Sequence, residues 1–340
     1  MTSCKSEAVE QGSLDLVLVW DGQQVARARV LSTQPTADRL LRGLPAVRTA
    51  EVVKRLFGLC RAAQGAAARL AVQAARCRPM TSREQIDLAL TVAREMIVEH
   101  LTHVLIAWPA TGAAANGGRV TEFALWRQRL QAADDPAAAA EIAPDLERWL
   151  ADLVWPTPPE LHSADAVALL PRLSPAEWAA HALSNDFARW PTLAGVPAET
   201  GALARQAGEP EVAARLAAGQ RIAARLIARR LELQRLVRAL ADPESLLDLC
   251  AATKIGEGCA LACVETARGT LLHRVQLDGE RVARYLIVAP TAWNFHPHGA
   301  FVREISGLPA ASEALARQAG ERLALALDPC VACTVRLEDA

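Results

Sequence analysis

The residues with the clearest chemical potential in this chain are its cysteines. Cys330 and Cys333 form a C-x-x-C pair in the segment DPCVACTVRLEDA. Thiols at that spacing can make half of a zinc site or a redox pair, or can be unrelated. A further cysteine, Cys60, closes the segment Arg55-Leu56-Phe57-Gly58-Leu59-Cys60. Cys259 and Cys263 invite a four-cysteine zinc site with the C-terminal pair. They lie in a strand-like run, however, where a buried cysteine behaves as a small hydrophobe and needs no special role. Cys4, Cys77 and Cys250 read as structural or incidental. No basic start followed by an apolar stretch marks a secretory leader, so the eight cysteines are expected as reduced thiols in the cytoplasm. His100 and His103 lie three apart on a helical stretch, a spacing that binds metal or serves packing and hydrogen bonding. His296 and His298 read as loop residues.

The elements that must position these groups are mainly helical. Residues 14–31 read as two strands around Asp21-Gly22, a strong hairpin signal. From Ala50 to Ala107 apolar residues recur at steps of three and four, the pattern of amphipathic helix. Residues 120–155 continue as helix and stop before a proline cluster. Residues 210–241 form a long helix whose arginines are expected on a solvated face. From Cys259 to Val288 the pattern turns to strand, with Asp278-Gly279 as a second hairpin signal. A last helix over 310–327 stops at Asp328-Pro329, because proline disfavours helix in the residue before it.

The fold class expected is mainly α with small β elements (α+β), a helical bundle core with N-terminal and C-terminal β-hairpins. One domain spans 1–340: a β element at 11–48, helices at 50–155, a linker at 156–175, helices at 176–258, and a β element, last helix and metal motif at 259–340. A chain of 340 residues can bury a large core. Its net charge of −1 predicts no pull toward nucleic acid or anionic membrane. No run of 18 or more apolar residues predicts a membrane span.

Five segments in order resemble the nickel–iron hydrogenase large-subunit family. RLFGLC at 55–60 is similar to the family's R-x-C-G-x-C, and DPCVAC at 328–333 to its D-P-C-x-x-C. ETGALAR at 199–205, ETARGTLLH at 265–273 and RYLIVAPTAWNFHP at 284–297 are similar to the motifs between them. The resemblance implies a large-subunit-like fold in which Cys60 and Cys333 occupy the positions that bridge nickel and iron. Cys330 then stands at a nickel-only position. The other nickel-only position is Phe57, which has no donor atom. Thiolates suit iron and nickel, and the number of donors decides which metal stays, so nickel is not expected. The resemblance also maps Arg268 and Thr291 onto the groups that hydrogen-bond the cyanides on iron, where a guanidinium gives a charge-assisted bond.

Other departures agree. Gln64 stands where the family has histidine, and Gln11 where it has a proton-relaying glutamate; a carboxamide does not exchange a proton as a carboxylate does. Only Leu337 to Ala340 follow Arg336, so a maturation tail of the family's kind is not expected. These features resemble the shortened accessory branch of the family, the HupK/HoxV type of hydrogenase assembly protein. That resemblance implies a non-catalytic scaffold. It would hold an Fe(CN)2CO unit transiently, receive it from iron-delivering maturation chaperones and pass it to the hydrogenase large-subunit precursor. A variant hydrogenase with altered nickel ligation and a metal-free structural protein of the same fold are the alternatives.

Overall fold

The computed structural model describes residues 12–33, 37–108, 118–157, 161, 165–181 and 183–339. Cys4, Gln11 and parts of the 156–175 stretch lie outside the described residues. The architecture is α+β, as the sequence implies, with helices around two larger sheets and a short two-stranded one, Ala168–Leu169 with Ala198–Glu199.

The hairpin at Asp21-Gly22 forms as expected. Asp21 accepts the backbone N–H groups of Gln23 and Gln24 at 2.9 Å each. Gly22 adopts φ +98°, a region open to glycine. The strands Ser13–Trp20 and Val25–Ser32 pair antiparallel. The structure adds a third strand that the sequence reading omitted. Ala332–Asp339 runs parallel to Ser13–Trp20, with Leu14 opposite Cys333 and Leu16 opposite Val335. The helix Glu313–Leu327 covers one face of this terminal sheet. Gly320 makes that approach possible, since a Cβ there would sit 2.8 Å from the Leu18 side chain.

The second sheet is larger than the hairpin expected. Four strands, Cys250–Gly256, Cys259–Thr266, Gly269–Asp278 and Arg281–Val288, form an antiparallel meander. It begins at Cys250 rather than Cys259, within the stretch expected to be helical. Every residue of Cys259–Thr266 is buried, because both faces are covered. Ala260, Ala262 and Val264 face the helical core, whereas Leu261 and Cys263 pack with Trp178 and Trp293. Cys263 is therefore accounted for by packing.

The helix Arg61–Ala75 lies on the meander. Ala63, Ala67 and Ala71 recur every fourth residue and are fully buried, so small side chains bring helix and sheet into close contact. The helix Ser82–Thr102 starts with a capping box between Thr81 and Glu84 and runs into a single π-helical turn, His103–Ala107. Helices Arg119–Ala132 and Pro136–Ala151 complete this layer, and Arg221–Ala239 crosses the centre of the molecule. Among the described residues no helix is long and apolar enough to cross a membrane.

Beneath the helix–sheet interface, His273 is fully buried between Tyr285 and Gln64. Burial pushes its pKa from the ordinary 6.5 down to about 3. Below pH 6.5 the unfolded chain gains a proton that the folded chain refuses. The stability this histidine contributes is thus present above that pH and lost as pH falls toward 3. His103 and His296, both lowered to about 4 by burial, act in the same direction. Denaturation midpoints are expected to fall across this window, and to fall less steeply in His273→Gln; equal slopes for both proteins would contradict the assignment.

Candidate functional site

Two chain breaks at helix ends build the site, one between two helices and one between a helix and a strand. The helix Thr49–Leu56 ends at Phe57, which turns extended. Cys60 then adopts a left-handed conformation (φ 50°, ψ 36°) as the residue capping Arg61–Ala75. For a residue with a Cβ this costs on the order of 1–2 kcal/mol, so something must hold it. The holders are two carboxylates one turn apart on Ser82–Thr102. Glu99 accepts the Cys60 N–H at 2.9 Å. Glu95 accepts the N–H groups of Ala62 and Ala63 at 2.6 and 2.9 Å. The free N–H groups at the start of Arg61–Ala75 are thereby satisfied. Burial, together with the neighbouring Glu99, raises Glu95 to about 7.

The second break follows Glu313–Leu327. Asp328 caps this helix in a left-handed conformation (φ 55°), with its N–H returned to the Ala324 carbonyl at 3.0 Å. The chain then reverses and presents Cys330. Thr291 clamps that residue twice. Its hydroxyl accepts the Cys330 N–H at 3.2 Å and donates to the Cys330 sulfur at 3.0 Å.

Arg268 joins the two breaks. It sits in the turn between Cys259–Thr266 and Gly269–Asp278, and donates to Glu99 at 2.9 Å and to Asp328 at 3.4 Å. Its Nε is buried without a hydrogen-bond partner among the described residues. Backbone contacts fix the turn. The Arg268 carbonyl accepts from Asn294 at 3.3 Å, and Asn294 also accepts the Thr200 N–H at 2.9 Å. Gly201 (φ +121°) comes so close that a Cβ would lie 2.9 Å from the Arg268 carbonyl oxygen. The segments ETG, RGT and WN, scattered in sequence, are one interlocked unit.

Buried ion pairs support this unit. The arginines of Arg221–Ala239 do not all face solvent as expected. Arg221, Arg225 and Arg229 recur every fourth residue and point inward. Arg221 and Arg225 share Glu199 and Glu304, and Arg229 donates to Asp328 at 3.0 Å. Burial alone would raise the Glu199 carboxyl, but Arg225 and Arg221 bring it down to about 2. Burial likewise works against Asp328, and Arg268 and Arg229 hold it well below the usual carboxylate range. His100 is bound between Glu232 at 2.9 Å and Arg229 at 3.3 Å, a hydrogen-bonding role rather than a ligand position. His103 is buried 3.8 Å from Asp328.

The structure thus brings Cys60, Cys330, Arg268 and Thr291 together. Burial raises the Cys60 thiol well above its usual range, and the adjacent Cys330 and Glu99 add to the effect while Arg268 opposes it. Burial also raises Cys330, against the Thr291 hydroxyl and Arg268. Cys333 has different neighbours. It packs with the terminal-sheet core, and burial followed by Asp15 raises it to about 11. Cys330 thus lies close enough to Cys60 to raise its thiol. Among the described residues, no group of three or more His, Cys, Asp or Glu side chains could hold a metal ion. Phe57 packs against the helical core. Cys259 and Cys263 belong to the meander, with Gln276 and Leu272 opposite them.

Glu95, Glu99 and Asp328 were absent from the candidate site residues. The first two carry a signal, since both lie on the helix face that also bears His103 four residues on, but ordinary surface carboxylates show the same spacing.

Comparison with known proteins places these features. A family model for nickel-dependent hydrogenases matches residues 188–336. The hydrogenase expression/formation protein HupK of Rhizobium leguminosarum bv. viciae is 33% identical over 326 residues, covering 84% of this chain and 85% of that protein. HupK of Azotobacter vinelandii is 31% identical, covering 90% and 92%. HoxV of Cupriavidus necator is 30% identical, covering 89% and 91%. Among solved structures, the Ni-Fe-Se hydrogenase of D. vulgaris Hildenborough matches with a TM-score of 0.65 at 14% identity, covering 92% of this chain and 94% of that chain. A reduced, active form of the enzyme from Desulfomicrobium baculatum matches at 0.64 and 15%, covering 92% and 95%. At such low identity these structures establish the fold alone.

The ion-pair layer makes a stability prediction. Arg225→Met leaves two buried carboxylates with only Arg221 between them, and is expected to cost about 3 kcal/mol or more. Urea denaturation would measure it, and a loss within the error of the method would show that Glu199 and Glu304 find other partners.

Proposed function

We propose, for a chain that belongs to the HupK/HoxV family of hydrogenase expression/formation proteins, that it acts in hydrogenase maturation as a scaffold for iron. Its cargo is an iron atom bearing two cyanides and one carbonyl. Iron-delivering maturation chaperones supply the cargo in the cytoplasm, and the hydrogenase large-subunit precursor receives it. The chain itself does not turn over hydrogen.

The observation that supports this reading is the hydrogen-bonded frame that joins the turns of Cys60 and Cys330, in which Arg268 bridges Glu99 and Asp328 and Thr291 bonds the Cys330 sulfur, with a phenyl ring at Phe57 where the family pattern has a fourth thiolate. Thiolates are soft donors suited to iron, and a nickel site short of a sulfur holds nickel poorly. The family pattern makes Cys60 and Cys333 the iron ligands, and Cys330 bears on the Cys60 thiol while bonded to Thr291. Arg268 keeps one N–H without a partner among the described residues. A buried cyanide is an anionic acceptor, and a guanidinium donor beside it forms a charge-assisted hydrogen bond. Glu99 and Asp328 hold that guanidinium in place, so it is oriented before cargo arrives. The thiols here are raised by burial, so iron must displace their protons as it binds.

Infrared spectra test the reading. Protein purified without oxygen from a host that makes the cofactor is expected to show cyanide and carbonyl stretches, with iron and little nickel. Loss of both bands in Cys60→Ala and Cys333→Ala, with failed hydrogenase maturation, is the supporting outcome. Intact maturation in both variants would favour a metal-free structural role, and hydrogen-dependent dye reduction with stoichiometric nickel would favour a variant enzyme. Arg268→Ala is expected to lower iron occupancy while leaving the cysteines in place, and unchanged occupancy would remove Arg268 from the site.

A further inference from the structure

Behind Cys60 lies a line of buried polar groups that the proposed function leaves unused. The hydroxyl of Tyr285 lies 2.8 Å from His273 Nδ1, and His273 Nε2 lies 2.9 Å from Gln64 Oε1. The carboxamide nitrogen of Gln64 approaches the Cys60 sulfur at 4.0 Å. All four residues are buried.

Two directions of donation are possible along such a line. In the first, the Tyr285 hydroxyl donates to Nδ1, the Nε2–H of His273 donates to Gln64 Oε1, and the Gln64 N–H points at sulfur. In the second, the amide is turned over. The Cys60 thiol donates to the carboxamide oxygen, the amide donates to His273 Nε2, and His273 Nδ1–H donates to Tyr285. The second direction leaves the Tyr285 proton without an acceptor, since no other hydrogen-bond partner of its hydroxyl is found among the described residues. An unsatisfied buried donor costs about 1–3 kcal/mol. Tyr285 therefore sets the direction of the whole line.

We infer that Gln64 is a positioning residue, aimed through His273 and Tyr285 to donate an N–H to the Cys60 sulfur and so to favour a metal-bound thiolate over a thiol. A carboxamide keeps its donor at every pH, whereas an imidazole at the same place loses one of its two when it deprotonates. The donor withdraws electron density from the sulfur and hence from an iron bonded to it. This inference rests on the iron-holding role proposed above, and two measurements separate its failure from the failure of that role.

The first needs no iron. Nitrogen NMR of His273 is expected to show the Nε2–H tautomer in the wild type and a mixture in Tyr285→Phe. An Nδ1–H tautomer in the wild type would overturn the inference whatever the protein carries. The second uses iron-loaded protein. Gln64→Met, which keeps an unbranched side chain but removes the donor, is expected to shift the carbonyl stretch to lower wavenumber, and Tyr285→Phe to shift it less in the same direction. An unmoved carbonyl band in Gln64→Met at full iron occupancy would overturn the inference. If the wild type showed no cyanide or carbonyl bands, the iron-holding role and the inference built on it would both fall, even with the expected tautomer. Should Gln64→Met not fold, Gln64→Leu, which also lacks a donor, gives the same reading.

Discussion

One buried cation holds the site together. The guanidinium of Arg268 reaches Glu99, which fixes the backbone at Cys60, and Asp328, which caps the helix leading to Cys330. Desolvating a charge is costly, and mutual attraction repays the cost only when geometry and hydrogen bonds are good. Here the geometry is enforced from behind. The Arg268 backbone is pinned by Asn294 and by the close approach of Gly201. Were this ion pair broken, the left-handed Cys60 would lose the carboxylate that accepts its N–H, and the two cysteine-bearing turns would no longer share a partner.

The same logic extends through the centre of the molecule. Arg229 is the second cation on Asp328, and its neighbours Arg225 and Arg221 bind the acidic pair Glu199 and Glu304. Arg205 links Glu232 and Glu265. A core built this way is less stabilising than an apolar one of equal volume. It does fix where each element ends, because a displaced helix would strand a charge. Binding an anionic iron fragment calls for that kind of frame, in which donors are oriented before the ligand arrives.

Much of this was legible in the sequence, for identifiable reasons. Helices announced themselves by apolar spacing, and both Asp-Gly turns formed where expected, since turn chemistry is local. Arg268 and Thr291 were marked by resemblance to a family whose motifs survive here. What escaped depends on distant partners. The strand Ala332–Asp339 pairs in parallel with the opposite end of the described chain, and nothing local signals a parallel neighbour. The spacing of Arg221, Arg225 and Arg229 shows that they share a face but not that carboxylates from remote segments cover it. Asp328 takes a left-handed conformation just before the C-terminal cysteine pair, which the Asp-Pro dipeptide does not reveal.

The parallel pairing of Ser13–Trp20 with Ala332–Asp339 has a consequence for biosynthesis. A ribosome delivers the first of these strands early and its neighbour only after nearly all the intervening chain has emerged. Until then the edge of Ser13–Trp20 that Ala332–Asp339 will cover stays open. A nascent chain therefore carries Cys60 long before the strand that follows Cys330 can pair with Ser13–Trp20.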